Sequence, residues 1–266
     1  MRARLPERMA EFVMFVLKLG WSSLFGGLML GAILLSRAIW QEDWILRRYD
    51  ALFAFAIFVQ VAFLRFGLET RQEAKVILLF HLTGTVMEWF KVAMGSWSYP
   101  EAGAFVILGV PLFSGFMYAS VGSFIARAVR SFHMDFAPYP PFAATVALAL
   151  GIYANFFAHH VLPDARWLLM GATVVLFWRT KVGFTVGGRH HMRMPVAAVL
   201  SAFFLWVAEN VGTLTGTWVY SGRATLDFAG IAKMGSWYLL LYVAFVTVTF
   251  VIRDPLRSGP ATTETR

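Results

Sequence analysis

Eight apolar segments, at 21–40, 51–68, 75–94, 106–127, 141–161, 164–178, 194–214 and 231–252, leave this chain little choice of surroundings. About 20 apolar residues span the roughly 30 Å hydrocarbon core of a bilayer as a helix. A helix also satisfies its own backbone hydrogen bonds where no water is present. Of the 266 residues 59% are hydrophobic and 14% charged, against about a quarter charged in soluble domains. A soluble core of this size has no room for so much apolar surface. The expected fold is therefore all-α, a polytopic transmembrane helix bundle of about eight spans. It forms one transmembrane domain over 1–252, followed by a polar, disordered cytoplasmic tail at 253–266.

The sixth segment is the shortest, with only twelve apolar residues from Trp167 to Trp178, a length that suits an interfacial or re-entrant piece as well as a span. The distribution of positive charge decides for a span. With eight crossings and the N-terminus inside, the cytoplasmic side carries 16 Lys and Arg and the external side 6; with seven, the split is 11 to 11. Cytoplasmic segments are enriched in Lys and Arg, so eight crossings is the better reading. Both termini then lie in the cytoplasm, and the loops 95–105 and 215–230 face outward. The basic start (Arg2, Arg4, Arg8) is interrupted by Glu11 and Lys18 and lacks a small-residue cleavage site, so the first span is expected to remain uncleaved.

The net charge of +8 sits in loops between apolar segments, as at a membrane surface, so nucleic acid is not the expected partner; the bilayer is. The absence of cysteine excludes disulfides, thiolate metal sites and cysteine nucleophiles.

Shifting the chain by 121 residues lays the third segment on the seventh. EWFKVAMGSWSY (Glu88–Tyr99) meets ENVGTLTGTWVY (Glu209–Tyr220), matching Glu, Gly, Trp and Tyr. An even number of spans separates the copies, so they predict an internal parallel repeat, with units of about 75–127 and 194–252, about an axis along the membrane normal.

His81, Thr85 and Glu88 fall on one helix face, beside Gly84 and Lys91. Charged groups in hydrocarbon normally turn inward and find partners. Glu88 and Lys91, three residues apart, are placed to pair. Glu209 lacks that cation, since Gly212 replaces Lys91, and needs Asn210, His159 or His160 as a neighbour, or its proton. Asn155 and His159 share a face of the fifth segment, with Asp164 beyond. The spacing of these His and acidic residues matches no metal motif, so no metal and no cofactor are expected. His190 and His191 fall in a basic cytoplasmic loop, and the glycines from Gly26 to Gly31 suit close helix packing.

The stretches HLTGTVMEWFKVAMGSWSYPE (His81–Glu101), GVPLFSGFMYASVGS (Gly109–Ser123), NFFAHH (Asn155–His160) and WVAEN (Trp206–Asn210) resemble the bacterial membrane family known as domain of unknown function 817. The resemblance runs from the second span to the eighth and implies no activity. More distantly, Glu88, Gly95, Tyr99 and Gly109-Val110-Pro111 resemble membrane carotenoid hydratases, and the Gly-Trp turns those of small lycopene cyclases. Here Pro111-Leu112-Phe113-Ser114 lacks both carboxylates of the cyclase motif, so any acid has to be Glu88 or Glu209.

Three readings remain. In the first, the protein acts on the double bond of an isoprenoid or lipid, hydrating or isomerising it. Glu209 protonates the alkene, Glu88 takes the proton from water, and Lys91 and His159 assist. Trp97, Trp218, Trp237 and Tyr118 stabilise the cation, and His81, Tyr99, Asn155 and Asn210 complete the substrate site. In the second, the same groups serve a proton-coupled transporter of a small solute, with Lys91 attracting an anion. In the third, they hold together a non-catalytic scaffold.

Overall fold

The computed structural model describes residues 6–41, 43–221 and 230–257. In chain order, α1 (Glu7–Ser22), α2 (Leu24–Ile39), α3 (Arg48–Arg65) and α4 (Arg71–Ala93) come first. The short strands β1 (Trp97–Ser98), β2 (Val106–Ile107) and β3 (Val110–Pro111) lead to α5 (Phe113–Ser131) and β4 (Asp135–Ala137). Then come α6 (Phe142–Ala158), α7 (Arg166–Phe177), β5 (Lys181–Val186), β6 (Gly188–Arg193) and α8 (Met194–Leu214). The described chain ends with β7 (Val219–Tyr220), α9 (Ile231–Val251) and the single turn α10 (Asp254–Arg257).

Each of the eight apolar segments carries a helix, α2 to α9. Among the described residues, α4, α8 and the Lys233–Val251 stretch of α9 are long and apolar enough to cross a membrane unaided. A fourth crossing is possible if α1 and α2, bent by 68° at their junction, count as one. The 12 residues of α7 reach only about 18 Å at 1.5 Å per residue. Outward faces are apolar at helical spacing, as with the exposed Leu78, Leu82 and Val86 on α4 and Leu200, Phe203, Phe204 and Val207 on α8.

The all-α expectation needs correction, because strands are present. The residues 181–193 form a hairpin that β4 extends to a three-stranded antiparallel sheet, order β4-β5-β6. Val182, Gly183 and Val186 of β5 are buried while β6 is almost wholly exposed, and Gly187 turns the chain at φ +65°. The predicted fourth span begins late because β2 and β3 pair ahead of α5. Their two-residue turn, Leu108 and Gly109, has positive φ at both positions, as a type I′ hairpin requires. After Arg253 the chain makes one more helical turn, whose Leu256 packs on the core; 258–266 lie outside the described residues.

Helix α5 is the hub, packing against α1, α2, α3, α4 and α9. Its approach to α4 depends on glycine: a Cβ on Gly84 would stand 2.7 Å from Tyr118, and one on Gly122 2.7 Å from Phe80. The glycines at 26, 27 and 31 contribute less to close approach, since only Gly26 has a neighbour, Ser120, within 4 Å of its would-be Cβ. Helix α4 begins in a capping box, in which the Glu73 amide donates to Thr70 Oγ1 (3.2 Å) and the Thr70 amide to Glu73 Oε2 (2.7 Å). At the same end Arg127, wholly buried, pairs with buried Glu69 at 2.8 Å, and Ser123 and Gln60 also donate to that carboxylate.

Candidate functional site

Both α4 and α8 end in the same way. Gly95 (φ +67°) and Gly216 (φ +63°) take the left-handed conformation. The next amide reaches back five residues, Ser96 to the Lys91 carbonyl (2.9 Å) and Thr217 to the Gly212 carbonyl (3.0 Å). This is a Schellman stop, and it throws the following Trp-x-Tyr back over the helix just left. The Trp97 indole donates to Glu88 Oε2 (2.7 Å) and the Tyr99 hydroxyl to the same oxygen (2.8 Å). One unit later Trp218 donates to Glu209 Oε1 (2.9 Å), as does the Tyr220 hydroxyl. Each carboxyl thus fastens its own turn, nine and eleven residues ahead.

The units differ in detail. Tyr118 of α5 also donates to Glu88 Oε1 (2.7 Å), so both Glu88 oxygens are engaged, whereas Trp218 and Tyr220 converge on Oε1 of Glu209. Burial and the neighbouring Glu88 carboxyl hold the Tyr99 phenol well above its usual value, keeping it a donor. Where α4 has Lys91, α8 has Gly212, and a Cβ there would overlap the Trp218 indole.

The turns meet each other. Strands β1 and β7 pair antiparallel, Trp97 with Tyr220 and Ser98 with Val219, and the Trp97 and Tyr220 rings pack edge to face at 5.8 Å. Lys233 sits over the Tyr220 ring at 3.8 Å and the Trp97 ring at 5.8 Å. Three successive residues of α3 brace the assembly, and sequence reasoning missed them. Arg48 binds Glu101 (2.7 Å), Tyr49 donates to the Thr217 carbonyl (2.8 Å), and Asp50 accepts the amides of Ala104 (2.8 Å) and Phe105 (2.9 Å). Their signal was the charged cluster at the start of an apolar segment.

The anticipated Glu88–Lys91 ion pair does not form. Lys91 turns away to His160 Nε2 (3.1 Å) and lies over the Phe156 ring (4.0 Å). There it lines a partly open chamber of about 100 Å³ between α4, α6 and α9, with Arg166 at the start of α7 also in its lining. Trp97, Asn155 and His159 line it too, with Lys233 and Ser236 from α9. The Asn155 side chain is held by Asp164 (3.1 Å) and the Ala165 amide (2.9 Å), and His159 Nδ1 lies 3.1 Å from the Asn155 carbonyl. His159 and His160 do not contact Glu209 in any bond described; Asn210 donates to the Trp206 carbonyl (2.7 Å). The Trp237 ring lies tilted against Tyr118, centroids 6.5 Å apart. His81 stands apart, against Phe116 (4.4 Å), with Nδ1 buried and unpartnered. Among the described residues no three His, Asp or Glu side chains come together as metal ligands.

Of the predicted site, then, one group (Glu88, Trp97, Tyr99, Tyr118) surrounds a carboxyl and a second (Lys91, Asn155, His159, with Trp97 shared) surrounds a chamber. Glu209 and Trp218 repeat the first group.

Comparison with known proteins bears on the family. The chain is 44% identical over 237 residues to the uncharacterized protein YoaT of Bacillus subtilis (strain 168), covering 88% of this chain and 90% of the relative. A crystal structure of a cross-linked MvINS trimer is alike at a TM-score of 0.49 and 14% identity, over 72% of this chain and 98% of that one. These matches add no support to the carotenoid-enzyme likeness. Residues 11–245 match the family described as protein of unknown function (DUF817), and the chain belongs to that family.

Proposed function

We propose that this is an eight-span bacterial inner membrane protein, with both termini in the cytoplasm, and that it is a proton-coupled carrier of a small solute. Its working site is the external-side chamber between α4, α6 and α9. The observation that carries this reading is the separation of the charged groups. Lys91, 2% exposed, faces the chamber, and no ion pair with a carboxylate within 4 Å is found for it among the described residues. The Glu88 and Glu209 carboxyls are instead engaged by Trp and Tyr donors. Intramembrane charge that is not spent on pairing marks solute and ion pathways.

Duplication supports a carrier further. The β1–β7 register centres on Ser98 and Val219, which are 121 residues apart and so equivalent in the two units. An antiparallel pair centred on equivalent residues is what a two-fold axis between parallel repeats requires. The outward apolar faces of α4 and α8 supply the lipid contact. Lys91, His159 and Asn155 are assigned to the solute, and Glu209, whose Trp218 and Tyr220 donors meet at one oxygen, to the proton.

The test is a pH-sensitive dye sealed in proteoliposomes, challenged with a panel of carboxylates, phosphate esters, amines and sugars. Solute-dependent acidification that Glu209→Gln abolishes is expected. Absence of any solute-dependent proton movement overturns the carrier reading.

One observation favours the isoprenoid reading as a second. Trp97, Tyr99 and Tyr118 converge on Glu88, an aromatic wall beside an acid. Extracted lipids and pigments that are the same for the active chain, for Glu88→Gln and for a deletion would count against it.

A further inference from the structure

The geometry points to a phosphate-bearing ligand in the chamber, its phosphate oxygens held by Lys91, Arg166 and Lys233 and its substituent lying on the apolar floor. This deepens the carrier reading and rests on the same site. Three cationic side chains reach one space of about 100 Å³ from three different helices, α4, α7 and α9. A single water needs about 10–15 Å³ of such space, so the chamber has room for a ligand group. A carboxylate is satisfied by one cation, whereas a tetrahedral oxyanion presents oxygens in several directions and matches cations arriving from several sides. Arginine adds a planar fork suited to phosphate.

The charge at the centre is costly without such a ligand. Lys91 is buried in an apolar helix layer, and its contacts are an imidazole nitrogen and an aromatic face. A buried cation without a matching anion loses far more hydration than these contacts return. Asp164 is near, but it is already bound to Arg166, to the Arg166 amide and to Asn155. The uncharged wall indicates what accompanies the phosphate. Ile152, Phe156, Leu239 and Leu240 also line the same space, and a bare inorganic ion leaves that apolar surface uncovered. The ligand chemistry is therefore a phosphate ester with an apolar substituent, which a soluble monoester or a lipid headgroup each supplies.

The experiment is a thermal-shift and calorimetric titration of the purified full chain. Phenyl phosphate in non-ionic detergent is compared with phosphatidic acid in phosphatidylcholine nanodiscs, and benzyl alcohol is the uncharged control. Saturable binding of at least one phosphate probe and none of the alcohol is expected. Binding of phenyl phosphate identifies a soluble ester as sufficient; binding of phosphatidic acid alone identifies the headgroup. Lys91→Met is expected to weaken binding at least tenfold, and Lys181→Met, on the exposed hairpin, to leave it unchanged. Should Lys91→Met fail to fold, Ser236→Asp places a carboxylate in the chamber wall and is expected to have the same effect. Failure of both phosphate probes to bind, or binding unaltered by the chamber substitutions, overturns the inference. Phosphate binding without proton movement refutes the carrier and keeps the site, whereas proton-coupled uptake of an uncharged solute without phosphate binding does the reverse.

Discussion

Glu88→Leu is expected to cost the protein most of its stability. The substitution leaves the Trp97 indole and the Tyr99 and Tyr118 hydroxyls without the acceptor they share. A buried donor stripped of its partner costs about 1–3 kcal/mol, so three together cost roughly 3 kcal/mol or more. Because Trp97 and Tyr99 belong to the turn and Tyr118 to α5, the loss loosens the turn from α4 and α4 from α5 at once. Glu88→Gln keeps one acceptor oxygen and is expected to lower the unfolding midpoint by much less. Glu209→Leu, which strands two donors instead of three, is expected to fall between. Thermal unfolding of the detergent-purified variants, followed by tryptophan fluorescence, gives the ranking. A midpoint for Glu88→Leu within about 2 °C of the parent's would contradict the bracing role.

A second large effect is expected at the opposite end of α5. Arg127→Met leaves the Glu69 carboxylate buried among Gln60 and Ser123 without its cation. Removing one member of a buried ion pair typically costs about 3–5 kcal/mol, whereas replacing both with apolar residues of similar volume is often neutral or stabilising. Arg127→Met is therefore expected to unfold at far lower temperature than the double variant Arg127→Met/Glu69→Met, which recovers most of the loss. A double variant no more stable than the single one would show that the pair is not the reason for the loss.

The helices were legible because each apolar segment carries its own signal, and α8 occupies the predicted 194–214 residue for residue. The hairpin 181–193 was not, because its charges suggested a cytoplasmic loop. Its sequence nonetheless held a Gly-Gly pair (Gly187, Gly188) between β-prone residues on one side and polar ones on the other. The burial of Arg127 was not legible either. Counting positive charges registers sign and not burial, and its partner Glu69 lies 58 residues away.

The site was half legible. The 121-residue self-match of the sequence brought out Glu88, Trp97, Tyr99 and Glu209, Trp218, Tyr220 as matching positions, but helix-surface reasoning looks three or four residues along and offered Lys91 as the partner of Glu88. The true partners lie nine and eleven residues ahead because Gly95 reverses the chain. The same spacing at Glu209 was the available clue. The cluster Arg48-Tyr49-Asp50 was visible at the start of an apolar segment, but its partners lie in loops about 50 or more residues away, which no local pattern names.

The reading of the chamber as an external-side site depends on α7 crossing the membrane despite its length. Ser98 and His191 are separated by the fourth, fifth and sixth segments, and both are exposed. The chain contains no cysteine, so Ser98→Cys and His191→Cys each give a single label site. Membrane-impermeant maleimide applied to intact cells is predicted to label Ser98→Cys, and to label His191→Cys only after the membrane is permeabilised. Labelling of both from the same side would contradict eight crossings.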